Sequence, residues 1–178
     1  MSALEQRFLQ IIASLNDAQV RYVIIGGVAM SMHGSAHITQ DIDICYSRDH
    51  ENLTRLTTAL APYHPHLRDF PPDLPFVFDA RTLKSITTLT LITDIGAVDL
   101  LAEPPGAPLF EELLERSVLM EIQGQQVHAC SLDDLIAMKK AANRPKDQLH
   151  LMELQALAKI IKEEKAQYLA VTTSKLEG

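Results

Sequence analysis

Leu4, Phe8, Ile11, Ile12 and Leu15 recur at helical spacing and put one apolar stripe on a helix from residue 3 to about 17. The pattern then changes period. VRYVII is a β-branched run that stops at Gly26-Gly27, the mark of a buried strand entering a tight turn. VAMSMH is competent for a short helix ended by Gly34, and DIDICY reads as a second strand. Residues 49–61 predict a helix stopped by Pro62. A proline-rich loop follows, then FVFDA and a Thr/Leu/Ile-rich run from Ile86 to Thr93, which DIG turns into AVDLL as a hairpin. PLFEELLERS predicts a short helix, and VLMEI and QQVHAC a strand pair joined at Gly124. Ser131 caps a helix beginning LDDLIAMKKAA, with Asp134 at its third position, and Pro145 opens a last helix to roughly Lys165, with VTTSKLEG as a frayed tail. Strands come mostly as neighbours with helices before and after, which predicts an α+β fold with a mixed sheet.

Length bounds this to one domain over residues 1–178, with a core of about 20–130 and a C-terminal helical segment of about 131–165. An apolar content of 47% is enough for a sizeable core, and no apolar run approaches the ~20 residues of a membrane span. MSALEQRFLQII carries Glu5 ahead of its apolar residues and no small-residue cleavage site, so no secretory signal is read there. Cys45 and Cys130 lie far apart and read as buried reduced thiols of a cytoplasmic protein. The net charge of −7 argues against broad attachment to nucleic acid. It leaves room for a local basic patch: Lys139, Lys140, Arg144 and Lys146 crowd into SLDDLIAMKKAANRPKD.

The chemistry begins in DIDICY. Strand alternation puts Asp41, Asp43 and Cys45 on one face, and Ala97, Asp99 and Leu101 on one face of AVDLL. If the strands are neighbours, three carboxylates meet, and they repel unless a cation sits among them. Mg²⁺ suits that place, since it takes few carboxylates together with substrate phosphates. Gly26-Gly27 leave bare backbone amides that can face an anion. The bland alternative is an edge strand whose aspartates are simply solvated. The histidines show no paired zinc-ligand spacing, and Ser31 has no evident base partner.

Ile25-Gly26-Gly27, thirteen intervening residues and Asp41-Ile42-Asp43-Ile44 resemble the signature of the nucleotidyltransferase superfamily that includes DNA polymerase β. GAVDLL looks like the strand carrying its third carboxylate, Asp99, and KKAANRPKD looks like the basic segment of the type IV abortive-infection toxin-like branch. The likeness runs from about Tyr22 to Leu157. It implies a palm-like mixed sheet and two-metal transfer of a nucleoside monophosphate from an NTP to a hydroxyl acceptor, with Mg²⁺ held by Asp41, Asp43 and Asp99. On that resemblance Asp99 helps deprotonate the acceptor; RNA (tRNA included) or protein is the toxin-like reading, with a cognate antitoxin as partner, and the sequence does not separate these from an antibiotic or a small alcohol. The sequence departs from the branch at His37 and Gln40, where relatives commonly carry basic residues, and at His150, where they often carry Asp.

The second half of the site is basic. Leu132, Leu135, Ile136 and Lys139 share one helix face, so Lys139 ends an apolar stripe and points toward the protein, to meet phosphate or to snorkel. Asp147 either complements the helix dipole or pairs with Arg144 or Lys139; Arg144 and Lys146 either reach phosphate or RNA, or form a solvated surface. Three readings follow: a nucleotidyltransferase, a member of that fold kept as a nucleotide sensor or interaction module, and a two-metal phosphohydrolase.

Overall fold

A computed structural model describes residues 3–71 and 74–176, leaving aside the side chains of 3, 4, 146, 165 and 169–176. The expected apolar helix is α1 (Ala3–Asp17), and its Ile11, Ile12 and Leu15 are buried. β1 (Tyr22–Ile25) is buried at all four positions and runs directly into α2 (Gly26–Met32). β2 (Asp41–Tyr46), α3 (His50–Leu60), β4 (Thr88–Thr93), β5 (Gly96–Leu101), α5 (Phe110–Arg116), β6 (Val118–Ile122), β7 (Gln125–Ala129) and α6 (Leu132–Ala142) follow the sequence pattern closely. Among the described residues no helix is long and apolar enough to cross a membrane.

Besides a 3₁₀ turn over Ala61–Tyr63 that extends α3 past Pro62, two elements lie where the pattern predicts none. β3 is only His66–Leu67, inside the proline-rich stretch, and α4 is Ala80–Ser85. The Asp79 side chain accepts from Thr82 N–H, so FVFDA ends as a helix cap. α7 runs from Pro145 to Leu176, well past Lys165 and through most of VTTSKLEG, whose last two residues lie outside the described residues.

The strands form one seven-stranded mixed sheet in the order β3-β4-β5-β2-β1-β7-β6. β2 lies at its centre, antiparallel to β1 and parallel to β5. A parallel neighbour needs a crossover, and the chain from α3 through β4 supplies it. Ile42, Ile44, Val98 and Leu100 are fully buried on the face opposite the acids. The sheet therefore spends one face on packing and presents its carboxylates on the other. Cys45 and Cys130 are free and buried. Asp134 caps α6 with Ser131, accepting the serine hydroxyl at 2.7 Å, and also receives Arg116 at 2.7 Å.

Candidate active site

Strand register decides how the acids meet. Asp43 and Asp99 are direct partners across the parallel β2–β5 pair, and Asp41 is two residues along the same face of β2. The row continues outward through Thr90, the partner of Asp99 on β4, to Arg68, whose N–H donates to Thr90 O at 3.0 Å. From there the Arg68 side chain reaches back across the sheet. Its Nη1 donates to Asp41 Oδ2 at 3.2 Å and its Nη2 to Asp99 Oδ1. One guanidinium thus spans two of the three carboxylates. Among the described residues, no three His, Cys, Asp or Glu side chains are gathered as a coordination sphere.

The three acids differ in state. Burial raises the pKa of Asp41, but the Thr39 hydroxyl at 2.6 Å and Arg68 outweigh it and hold the carboxyl below its usual range. Asp43 is pushed up to about 7 by burial, then by the charges of Asp41 and Asp99, against the pull of the Gly27 amide and Lys139. A carboxyl raised this far is an unmet demand for positive charge. The three carboxylates are hard oxygen donors, the chemistry that Mg²⁺ takes, although among the described residues they are not gathered as one coordination sphere.

The glycine pair has a local steric reason. Gly26 has φ +62°, and a Cβ there would stand 2.7 Å from Asp43 Cγ and closer still to Oδ2. A Cβ on Gly27 would stand 2.7 Å from Thr39 Cβ. The Gly27 amide, read from sequence as free to face a ligand anion, is bonded to the Asp43 carboxylate.

Opposite the acids, α6 and α7 supply the cations. Lys139 Nζ donates to Asp147 Oδ1 at 3.1 Å, while Arg144 gives Nε to Oδ2 at 2.8 Å and its backbone N–H to Oδ2 at 3.1 Å. Asp147 is fully buried, and although burial opposes it, this set of donors from Arg144 and Lys139 holds its pKa well below the carboxylate range. Asp147 stands in the first turn of α7, where its charge complements the helix dipole, and it also pairs with both cations. Lys139 points inward, with 12% of its side chain exposed, whereas Arg144 is largely solvent-facing. The Lys146 side chain lies outside the described residues.

A cavity of about 330 Å³ joins the two halves. Asp43, Gly26, Lys139 and Arg144 line its polar end, and Ile25, Leu101, Leu135 and Met138 its apolar wall, with Pro104 and Pro105 beside them. The proline loop is tied to α6 through Gly106 (φ +79°), where a Cβ would fall 2.6 Å from Ala137 O.

Two departures from the branch pattern touch each other. His37 and His150 meet edge to face with centroids 4.3 Å apart, and His150, with an Nδ1 that is buried and unbonded, has its pKa lowered by burial and then by Lys139. Beside them Glu153 accepts from the Ser35 hydroxyl at 2.7 Å and from Ala36 N–H at 3.2 Å. These contacts fasten the loop before β2 to α7.

Sequence alternation gives no sign of Arg68. It directly follows a strand of two residues, too few for a period to show, and it lies among prolines. The cue that exists is chemical: the acid-bearing face needs a cation, and Arg68 is available in HPHLRDF.

The family model described as "Nucleotidyltransferase of unknown function (DUF6036)" matches residues 2–176. The chain belongs to this nucleotidyltransferase family. Its structure is similar to that of ANT(2″)-Ia in complex with adenylyl-2″-tobramycin, at 14% identity, 99% of this chain, 100% of the other and a TM-score of 0.56. It is also similar to an antigenic nucleotidyltransferase-like protein from Paracoccidioides brasiliensis, at 17% identity, 88% and 76% coverage and a TM-score of 0.52. At such identities the likeness is one of fold, and the fold is the α+β nucleotidyltransferase sheet expected above. No curated protein sequence matches the chain.

Proposed function

We propose that this nucleotidyltransferase transfers a nucleoside monophosphate from an NTP to a hydroxyl acceptor, with Asp41, Asp43 and Asp99 holding Mg²⁺ and Lys139 and Arg144 facing the polyphosphate. The observation that carries it is the register of Asp43 against Asp99 on adjacent parallel strands, beside a cavity that Asp43 lines together with Lys139 and Arg144. Bound there, Mg²⁺ neutralises phosphate charge and polarises the reacting phosphoryl group. The chain's own residues do the rest. The apolar wall of Ile25, Leu101, Leu135 and Met138 shelters the nucleoside and excludes water. Lys139, steadied by Asp147, lies on the cavity surface toward the phosphates. Asp99 is the base for the acceptor hydroxyl. The new bond joins acceptor oxygen to the α-phosphorus, the α–β P–O bond breaks, pyrophosphate leaves, and the hydroxyl proton passes to Asp99.

The acceptor is read as RNA or protein in the manner of the toxin-like branch, with an antitoxin as partner. The whole chain acts as one unit in which residues 131–165 supply the basic half, and its two free buried thiols suit the cytoplasm. A second reading, a nucleotide-binding member with little turnover, is favoured by Arg68 spanning Asp41 and Asp99 and by the edge-to-face contact of His37 with His150 at positions where the branch commonly carries other residues.

Calorimetry with each NTP plus Mg²⁺, on wild type and an Asp41→Ala/Asp43→Ala variant, tests nucleotide binding. Wild type alone should bind; equal heats from both proteins would sink the reading. Incubation with α-labelled NTP, cell RNA and lysate then separates transfer, which labels an acceptor, from binding without turnover.

A further inference from the structure

Arg68 occupies the place where the proposed function puts a divalent cation. Its two terminal nitrogens each hold a different carboxylate, Asp41 and Asp99, from strands that are neighbours in the sheet. A planar guanidinium is suited to this forked contact, and the contact lowers the charge of a face that otherwise carries three carboxylates. The arrangement is not a sealed ion pair. The Arg68 side chain is 26% exposed and Asp41 33%, so solvent and ions reach the pair directly.

The backbone of Arg68 is fixed independently of its head group. Its N–H is bonded to Thr90 O in the continuation of the β3–β4 ladder, while the side chain alone spans to the acids. The guanidinium can therefore leave the carboxylates by rotation about its own bonds, with the strand undisturbed. Having left, it remains beside Asp99, the strand partner of the cavity-lining Asp43, where phosphate oxygens of a bound nucleotide offer it equivalent acceptors.

We propose that Arg68 is a resident counter-cation that competes with the divalent cation for Asp41 and Asp99, so that cation and nucleotide are taken up together rather than singly. This rests on the metal-binding role given to the three acids. Without nucleotide, a divalent ion must displace Arg68 and leave it with no anionic partner. With nucleotide present, the displaced guanidinium is re-paired by phosphate, and the cation binds more tightly. Arg68 is a positioning residue in this scheme, acting through the carboxylates it holds.

The test is Mn²⁺ binding to metal-free protein, followed by the electron paramagnetic resonance signal of free Mn²⁺. Wild type, Arg68→Ala, Arg68→Gln and Asp99→Asn are compared, each with and without a non-hydrolysable NTP analogue. Both Arg68 variants should bind Mn²⁺ alone about tenfold more tightly than wild type, the effect of removing one competing charge-assisted contact pair. The analogue should tighten Mn²⁺ binding more in wild type than in either variant. Asp99→Asn should weaken it. If the Arg68 variants bind Mn²⁺ no more tightly than wild type while Asp99→Asn weakens it, the competition is refuted and the metal site stands. Absence of Mn²⁺ binding in all four proteins overturns both. Circular dichroism checks the fold: failure of both Arg68 variants to fold, with or without Mn²⁺, also refutes the proposal, since a displaceable side chain cannot be one the fold requires.

Discussion

Asp43 is held by contradictory neighbours: Gly26 and Gly27 give it room and an amide, while burial and two other acids oppose its charge. Its carboxyl ionises near pH 7 in the folded chain, against an ordinary value of 3.8. Between those pH values the folded chain retains a proton that the unfolded chain has released. The contribution of Asp43 to the stability of the metal-free protein therefore falls as pH rises from about 4 to about 7 and is level above that. Asp43→Asn removes the penalty. In urea melts the variant should match wild type near pH 4 and exceed it by ~2–4 kcal/mol at pH 8, the scale set by a shift of this size. A constant difference across that range would contradict the account. Gly26 belongs to the same argument, because any side chain there competes with Asp43 for one volume.

At the scale of elements, the join between α6 and α7 is made by one buried acid. Asp147 binds Lys139 at the end of one helix and Arg144 in the turn between the two. Asp147→Ala leaves Lys139 with a buried ammonium lacking its partner, while Arg144 is solvated already. We expect a loss of ~2–3 kcal/mol at pH 7, below the range for breaking a fully buried pair, measurable by thermal unfolding. Since the native pKa of Asp147 is depressed, its contribution is present above about pH 4 and lost as pH falls further. Much of this was legible in the sequence. The stripe Leu132, Leu135, Ile136, Lys139 turns Lys139 inward, and Asp147 shares its helix face with Leu151 and Leu154, of which Leu154 is fully buried. β3 and α4 were not legible. A two-residue strand owes its existence to the neighbour it pairs with, and α4 is a six-residue helix whose start depends on the Asp79 cap.

For the molecule as a whole, the acid-bearing strands were readable one by one, whereas their adjacency was a matter of topology. Alternation puts Asp41 and Asp43 on one face and Asp99 on one face, but only the parallel β2–β5 pairing makes it the same face. The far end of α7 is the least integrated part. At 32 residues the helix is ~48 Å long, more than a small domain's breadth, and among the described side chains beyond Leu154 none is fully buried. A chain ending at residue 162 should keep its melting temperature within about 3 °C, the shift that ~1 kcal/mol produces at this size. Its far-UV circular dichroism should fall by the helix removed. A loss of cooperative unfolding would assign the distal helix a structural role.

The parallel pairing also has a consequence in time. Its two strands are made far apart during synthesis, with an entire crossover between them, and the cations opposite come later still. A nascent chain that has passed β2 carries Asp41 and Asp43 with neither the third acid nor Lys139 to accompany them. The constellation cannot assemble before residue 147 has been added, so every shorter nascent chain carries an incomplete site.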